Sequence, residues 1–131
     1  QQKTLMVVTQ DPELVAKLSR MNADVMGAKS DPFYGAPVVL VVLAEKDWPT
    51  HVYDGSLVMG NLMLAAHDLG IGSCWIHRAK EEFESEEGKQ ILSDLGVTGE
   101  YEGIGHCVLG YPDEETAEAK PRKDDYVFWV E

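Results

Sequence analysis

Residues 37–44 read PVVLVVLA, with six consecutive valines and leucines after the proline. A half-exposed strand alternates apolar with polar residues. A run without alternation marks a strand buried on both faces. Trp48-Pro49-Thr50 breaks it on the far side. Upstream, Thr4-Leu-Met-Val-Val-Thr9 is a second, valine-rich strand. Asp11-Pro12-Glu13 follows as a helix start, with Asp as N-cap and Pro at the first helical position. Leu14, Val15, Leu18, Met21, Asn22 and Val25 recur at helical spacing to about Met26, where Gly27 ends the helix. Lys29–Gly35 is a loop of turn-forming residues.

Downstream, Asp54 is expected to cap a helix that Gly70 stops. Its apolar residues fall on nearly every face, which predicts almost complete burial, with Gly60, Ala65 and Ala66 admitting neighbouring backbone. Ser73–Ile76 is a short strand. Lys80–Leu95 is a polar helix with Phe83, Gly88, Ile91 and Leu92 on one side and Glu81, Glu82, Glu84, Glu86 and Glu87 as a solvated face. Tyr101–Tyr111 is a further core strand, Asp113–Ala119 an acidic loop, and Tyr126–Val130 a final strand-like run. Strands and helices are mixed along the chain, so the fold is α/β or α+β.

At 131 residues the chain is a single domain, 1–131, long enough for an ordinary core. Its formal charge of −12 argues against nucleic acid and against anionic membranes, both of which select basic surfaces. The longest apolar segment, Leu57–Leu69, is interrupted by Asn61, His67 and Asp68 and falls short of the roughly 20 residues a bilayer needs. Cys74 and Cys107 both lie in apolar runs and are expected to be reduced core thiols, which implies a cytoplasmic protein. The chain begins at Gln1 and enters a strand almost at once, so a preceding piece of the natural protein is expected.

Few motifs carry chemistry by themselves. Gly70-Ile71-Gly72 precedes a strand, whereas a dinucleotide-binding turn follows one and opens a helix. Cys74, His77, His106 and Cys107 could supply zinc ligands, but adjacent His106 and Cys107 point to opposite faces of a strand, so no metal site is expected. A Cys nucleophile with a His base lacks an orienting third group. His51 and His67 have no partner legible in the sequence. The acidic chain nevertheless gathers Lys120, Arg122 and Lys123 around Pro121. This island is either a solvated loop paired with nearby acids or a phosphate clamp, Arg offering a planar fork of donors and Lys a point charge.

Taken in order, several stretches resemble the flavin-mononucleotide-dependent nitroreductase family: Phe33-Tyr-Gly-Ala-Pro37 before the apolar strand, Asp54-Gly-Ser, Leu64-Ala-Ala-His-Asp-Leu-Gly-Ile-Gly-Ser-Cys-Trp-Ile76, Leu109-Gly-Tyr-Pro112, and the Lys-x-Arg of Lys120 and Arg122. The resemblance covers nearly all of the chain. It implies an α+β sandwich around a mixed, mainly antiparallel sheet, and a homodimer with FMN at the subunit seam. NAD(P)H would reduce the flavin, which would pass reducing equivalents to a nitroaromatic, a quinone or a similar small-molecule acceptor. The resemblance assigns Lys120 and Arg122 to the flavin phosphate, and Trp75, Ile76, His77 and Arg78 to the stretch whose backbone faces the ring. Many relatives carry glycine where His77 or Arg78 stands. Gln2 matches the Gln of an Asn-x-Gln element near the partner's flavin, and Tyr126–Val130 suits a segment that reaches over the partner. The family's Arg-Arg-Ser phosphate motif and its first helices precede the first strand and have no counterpart in residues 1–131, so the domain is expected to be N-terminally incomplete. The competing expectation is a non-catalytic dimer of the same fold that holds a flavin or another phosphorylated ligand.

Overall fold

The apolar run becomes β2 (Val38–Glu45), and its neighbours explain why it carries no polar side. The computed structural model describes residues 2–115 and 117–130, so Gln1, Thr116 within the acidic loop, and Glu131 lie outside the described residues. The sheet also contains β1 (Thr4–Thr9), β3 (Gly72–Ile76) and β4 (Tyr101–Gly110), in the order β1-β2-β4-β3. Every pairing among these strands is antiparallel, so the expected mixed sheet is, over the described strands, wholly antiparallel. Val39, Val41 and Leu43 of β2 face α1 (Pro12–Met26), α3 (Ala79–Glu84) and α4 (Glu86–Asp94) through Leu18, Met21, Phe83, Ile91 and Leu92. Leu40, Val42 and Ala44 face the other way, toward Met59 of α2 (His51–Asp68). The fold is therefore α+β, with one antiparallel sheet between two helical layers.

Local chemistry sets the ends of α1 as the sequence suggests. Asp11 accepts hydrogen bonds from the Glu13 and Leu14 amides at 3.3 Å each. Gly27 closes the helix in left-handed conformation at φ 69°.

Elsewhere the structure corrects the expectations. α2 begins at His51, and Asp54 sits inside its first turn, accepting from the Thr50 hydroxyl at 3.0 Å. Nor is α2 almost fully buried. Gly55, Met59 and Ala66 are its buried residues, whereas Tyr53, Leu57 and Leu64 are 71%, 69% and 70% exposed. The apolar residues form two stripes at helical spacing, and the described chain covers one of them. Close approach occurs at Gly55, where a Cβ would strike Ile104; a Cβ at Gly60 meets nothing.

The polar segment after β3 is two helices. Ser85 turns extended between α3 and α4, donates its hydroxyl to the Glu82 carbonyl at 2.5 Å, and accepts the Gly88 amide at 3.1 Å. Gly88 lets the second helix fold onto the first, since a Cβ there would collide with the Glu82 backbone. Glu82 is consequently buried and does not belong to a solvated face. Cys74 is exposed on the edge strand β3, so only Cys107 is a core thiol; both are free. Tyr126–Val130 forms no strand, and Trp129 and Val130 are 88% and 98% exposed. An extended run without a hydrogen-bonded neighbour has nothing to hold it as β structure.

The loop before β2 is organised by Asp31. Its carboxylate accepts from the Ser19 hydroxyl at 2.6 Å and from the Phe33 and Gly35 amides at 2.8 and 2.6 Å, which seats the Phe33 ring in the core. Burial pushes the Asp31 carboxyl up, but these three hydrogen bonds together outweigh it and hold the group below its ordinary value. The lowered folded-state value means that the stabilisation is present above the unfolded carboxylate range, about pH 4, and is lost as pH falls through the folded value. Urea titrations of the wild type and Asp31→Asn at successive pH values should show a constant deficit for the variant from neutrality to about pH 5, shrinking below about pH 4. A deficit that widens on acidification would contradict this role.

Candidate functional site

β3 ends in Trp75-Ile-His-Arg78, and each residue takes a different environment. Trp75 packs on the α2 side against Gly105, where a Cβ would strike the indole. Ile76 points the other way into the core, His77 is exposed, and Arg78 adopts the left-handed conformation at φ 75°. Gly103, two residues before Gly105, admits the Ala79 carbonyl in the same manner. This second Gly-x-Gly, Gly103-Ile-Gly105, is what allows β4 to sit so closely under the segment.

Grooves run along both sides of Trp75–Arg78. One, of about 430 Å³, is bounded by Met26, Asp31, Pro32, Tyr34 and Cys74. The other, of about 390 Å³, is bounded by Val52, Ser56, Lys80 and Glu102. Both volumes fall within the range of small-molecule sites. A larger groove, about 770 Å³ along α1 and residues 28–37, contains none of the site residues singled out by the sequence.

Beneath the segment lies a buried polar cluster that sequence reasoning missed. The Asn22 side-chain amide donates to the His77 carbonyl at 2.7 Å and to Glu82 Oε2 at 2.8 Å, while its oxygen accepts from Arg78 Nε at 2.9 Å. Glu82 Oε2 also lies 3.0 Å from His106 Nε2, with both side chains fully buried, although the ring nitrogen is not aligned as a hydrogen-bond donor. His106 Nδ1 approaches the Ile76 carbonyl at 3.4 Å, and the imidazole lies against the Phe33 ring at 5.1 Å between centroids. A signal existed: Asn22 occupies an apolar position of α1, and a polar residue on a core stripe needs a buried partner. In the second groove, buried Glu102 stands between His51 Nε2 at 3.5 Å and Lys80 Nζ at 3.4 Å, so His51 does have a neighbour.

The structure brings Trp75, Ile76, His77 and Arg78 together as one wall. It does not bring Gln2 to that wall within one chain. Gln2 is exposed ahead of β1, at the opposite edge of the sheet from β3. Lys120 and Arg122 lie exposed beyond β4, and neither forms an ion pair or hydrogen bond with another described residue. No group of three or more His, Cys, Asp or Glu side chains among the described residues could hold a metal ion. Burial first, then neighbouring Cys74, pushes the Cys107 thiol up, the reverse of what an activated nucleophile needs. No helix among the described residues is long and apolar enough to cross a membrane.

The model of a family described as the nitroreductase family matches residues 2–111. No curated protein matches the sequence. The fold is similar to that of a nitroreductase with bound FMN from Bacteroides fragilis, at 22% identity and TM-score 0.84, over 98% of this chain and 76% of that one. A nitroreductase with bound FMN from Desulfitobacterium hafniense has 21% identity and TM-score 0.82, over 100% of this chain and 77% of that one. An oxidised iodotyrosine deiodinase bound to FMN and 3-iodo-L-tyrosine has 20% identity and TM-score 0.69, over 98% and 76%.

The buried cluster makes a direct stability prediction. Glu82→Ala leaves the Asn22 amide and the His106 ring without their shared partner. Urea denaturation should show a loss of about 3 kcal/mol. A loss below about 1 kcal/mol would mean that the cluster is not a buried network.

Proposed function

The chain belongs to the nitroreductase family, and we propose that it is an FMN-dependent oxidoreductase working as a homodimer. Bound FMN would supply the redox chemistry, taking hydride from NAD(P)H and delivering reducing equivalents to a nitroaromatic, quinone or related acceptor. The observation that carries this reading is the position of Trp75–Arg78. In the stretch expected to face the flavin, Trp75, His77 and Arg78 line both grooves beside β3 and Ile76 lines one of them.

The residues present fit such a ligand. Trp75 and Tyr34 offer aromatic faces at the groove beside β3, and the left-handed Arg78 reproduces with an arginine the backbone form that glycine favours. Lys120 and Arg122 sit on an exposed segment and can turn their donors toward a phosphate. The reaction asks the protein for orientation and stacking more than for an acid–base pair. A second copy accounts for three further features. It would cover the Tyr53, Leu57 and Leu64 stripe of α2, receive the apolar Tyr126–Val130 tail, and present its own Gln2 to this chain's groove. The competing reading, a flavin-binding dimer without turnover, rests on the bulk of His77 and Arg78 where many relatives have glycine.

Purified full chain supplied with FMN should be yellow, bleach with NADH or NADPH, and recover its colour with an electron acceptor. Colour without bleaching would favour the non-catalytic dimer, and absence of FMN uptake would defeat both. Replacing Lys120 and Arg122 together by alanine should weaken FMN at least about 100-fold, one charge-assisted bond being lost at each. Riboflavin, which lacks the phosphate, should bind both proteins alike. Equal losses for the two ligands would remove the phosphate assignment.

A further inference from the structure

Tyr34 at φ 55° and Arg78 at φ 75° are the described non-glycine residues with positive φ, and both line the groove beside β3. Left-handed backbone is unfavourable for a residue with a Cβ and persists where the surroundings over-determine it. For Arg78 the surroundings can be named. Asn22 is fully buried on α1 and uses every polar atom it has: Nδ2 on the His77 carbonyl and Glu82, Oδ1 on Arg78 Nε. The amide orientation follows from chemistry, since a guanidinium only donates and the atom facing it must be the oxygen. The His77 carbonyl belongs to the peptide that joins His77 to Arg78. Asn22 therefore grips that peptide at its oxygen and, through the guanidinium, at the side chain that follows.

We propose that Asn22 is a positioning residue for the flavin. By clamping the His77–Arg78 peptide it holds Arg78 in a glycine-type conformation, and so fixes the wall against which the ring rests. This deepens, and rests on, the FMN reading above. On this assignment the Arg78 guanidinium serves the backbone and is not a ligand for phosphate or substrate. Glu82, fixed from α3, keeps the amide from rotating away.

The test separates backbone form from charge by comparing Arg78→Gly with Arg78→Ala in the full chain. Arg78 is only part-buried, so both variants should fold. Both lose the guanidinium, but only glycine adopts positive φ freely. FMN binding, followed by quenching of flavin fluorescence, should stay within about threefold of wild type for Arg78→Gly and weaken about tenfold for Arg78→Ala. Asn22→Ala should weaken binding to a similar degree, and adding Arg78→Gly to it should recover most of the loss. The midpoint potential of bound flavin should follow the same order, a readout that loss of stability alone would not move. Without flavin, Arg78→Ala should melt about 3 °C below Arg78→Gly. Equal losses in the two Arg78 variants would show that the charge matters and overturn the proposal, as would no loss in either. If the wild type takes up no FMN, the flavin reading falls and this role with it. The melting order of the unliganded variants would then show separately whether the clamp acts on the backbone.

Discussion

A carboxyl group sealed inside a core must find its partners there, because desolvation without them is costly. Glu82 finds a donor on α1, where the Asn22 amide reaches Oε2, and His106 of β4 stands 3.0 Å from the same oxygen without donating to it. Those partners extend the tie to the Ile76 and His77 carbonyls at the end of β3. A shift of α1 or of the end of β3 would break the Asn22 hydrogen bonds to Glu82, the His77 carbonyl and Arg78. The segment Trp75–Arg78 is thereby braced from beneath by hydrogen bonds, which have direction, in addition to apolar contact, which has none.

The two faces of the sheet differ for the same reason. The α1, α3 and α4 side is closed by a large apolar cluster with the polar cluster inside it. The α2 side is closed by a smaller apolar cluster, and the outer stripe of α2 is left bare. Rigidity under the groove and an uncovered apolar stripe beside it suit a ring held at a seam between two copies. The chain's net negative charge sharpens the contrast with the cationic island at residues 120–123, where an anion would find its few donors.

Much of this was legible in the sequence. The unbroken apolar run of β2 announced burial on both faces, and α1 was bounded by its cap, its proline and its glycine. What failed was judgement of which surface buries a residue. The all-round apolar pattern of α2 implied burial, but a pattern cannot say whether the cover comes from the same chain. Glu82 read as one glutamate among several on a helix, because its partners are 60 and 24 residues away and adjacent only once α1 and β4 pack. The candidate site divided similarly. Trp75–Arg78 was singled out from its family-like context, whereas Tyr34 and Glu102 reach the grooves, and Asn22 lies beneath them, by tertiary packing. The tail Tyr126–Val130 had strand-forming residues without a strand to join.

The most direct test is a crystal structure of the full chain grown with FMN. The expected result is a flavin ring against Trp75–Arg78, its phosphate between Lys120 and Arg122, and two copies meeting along the Tyr53, Leu57 and Leu64 stripe. A flavin lying instead in the groove along α1 and residues 28–37, or a single copy with that stripe in solvent, would contradict the proposed site.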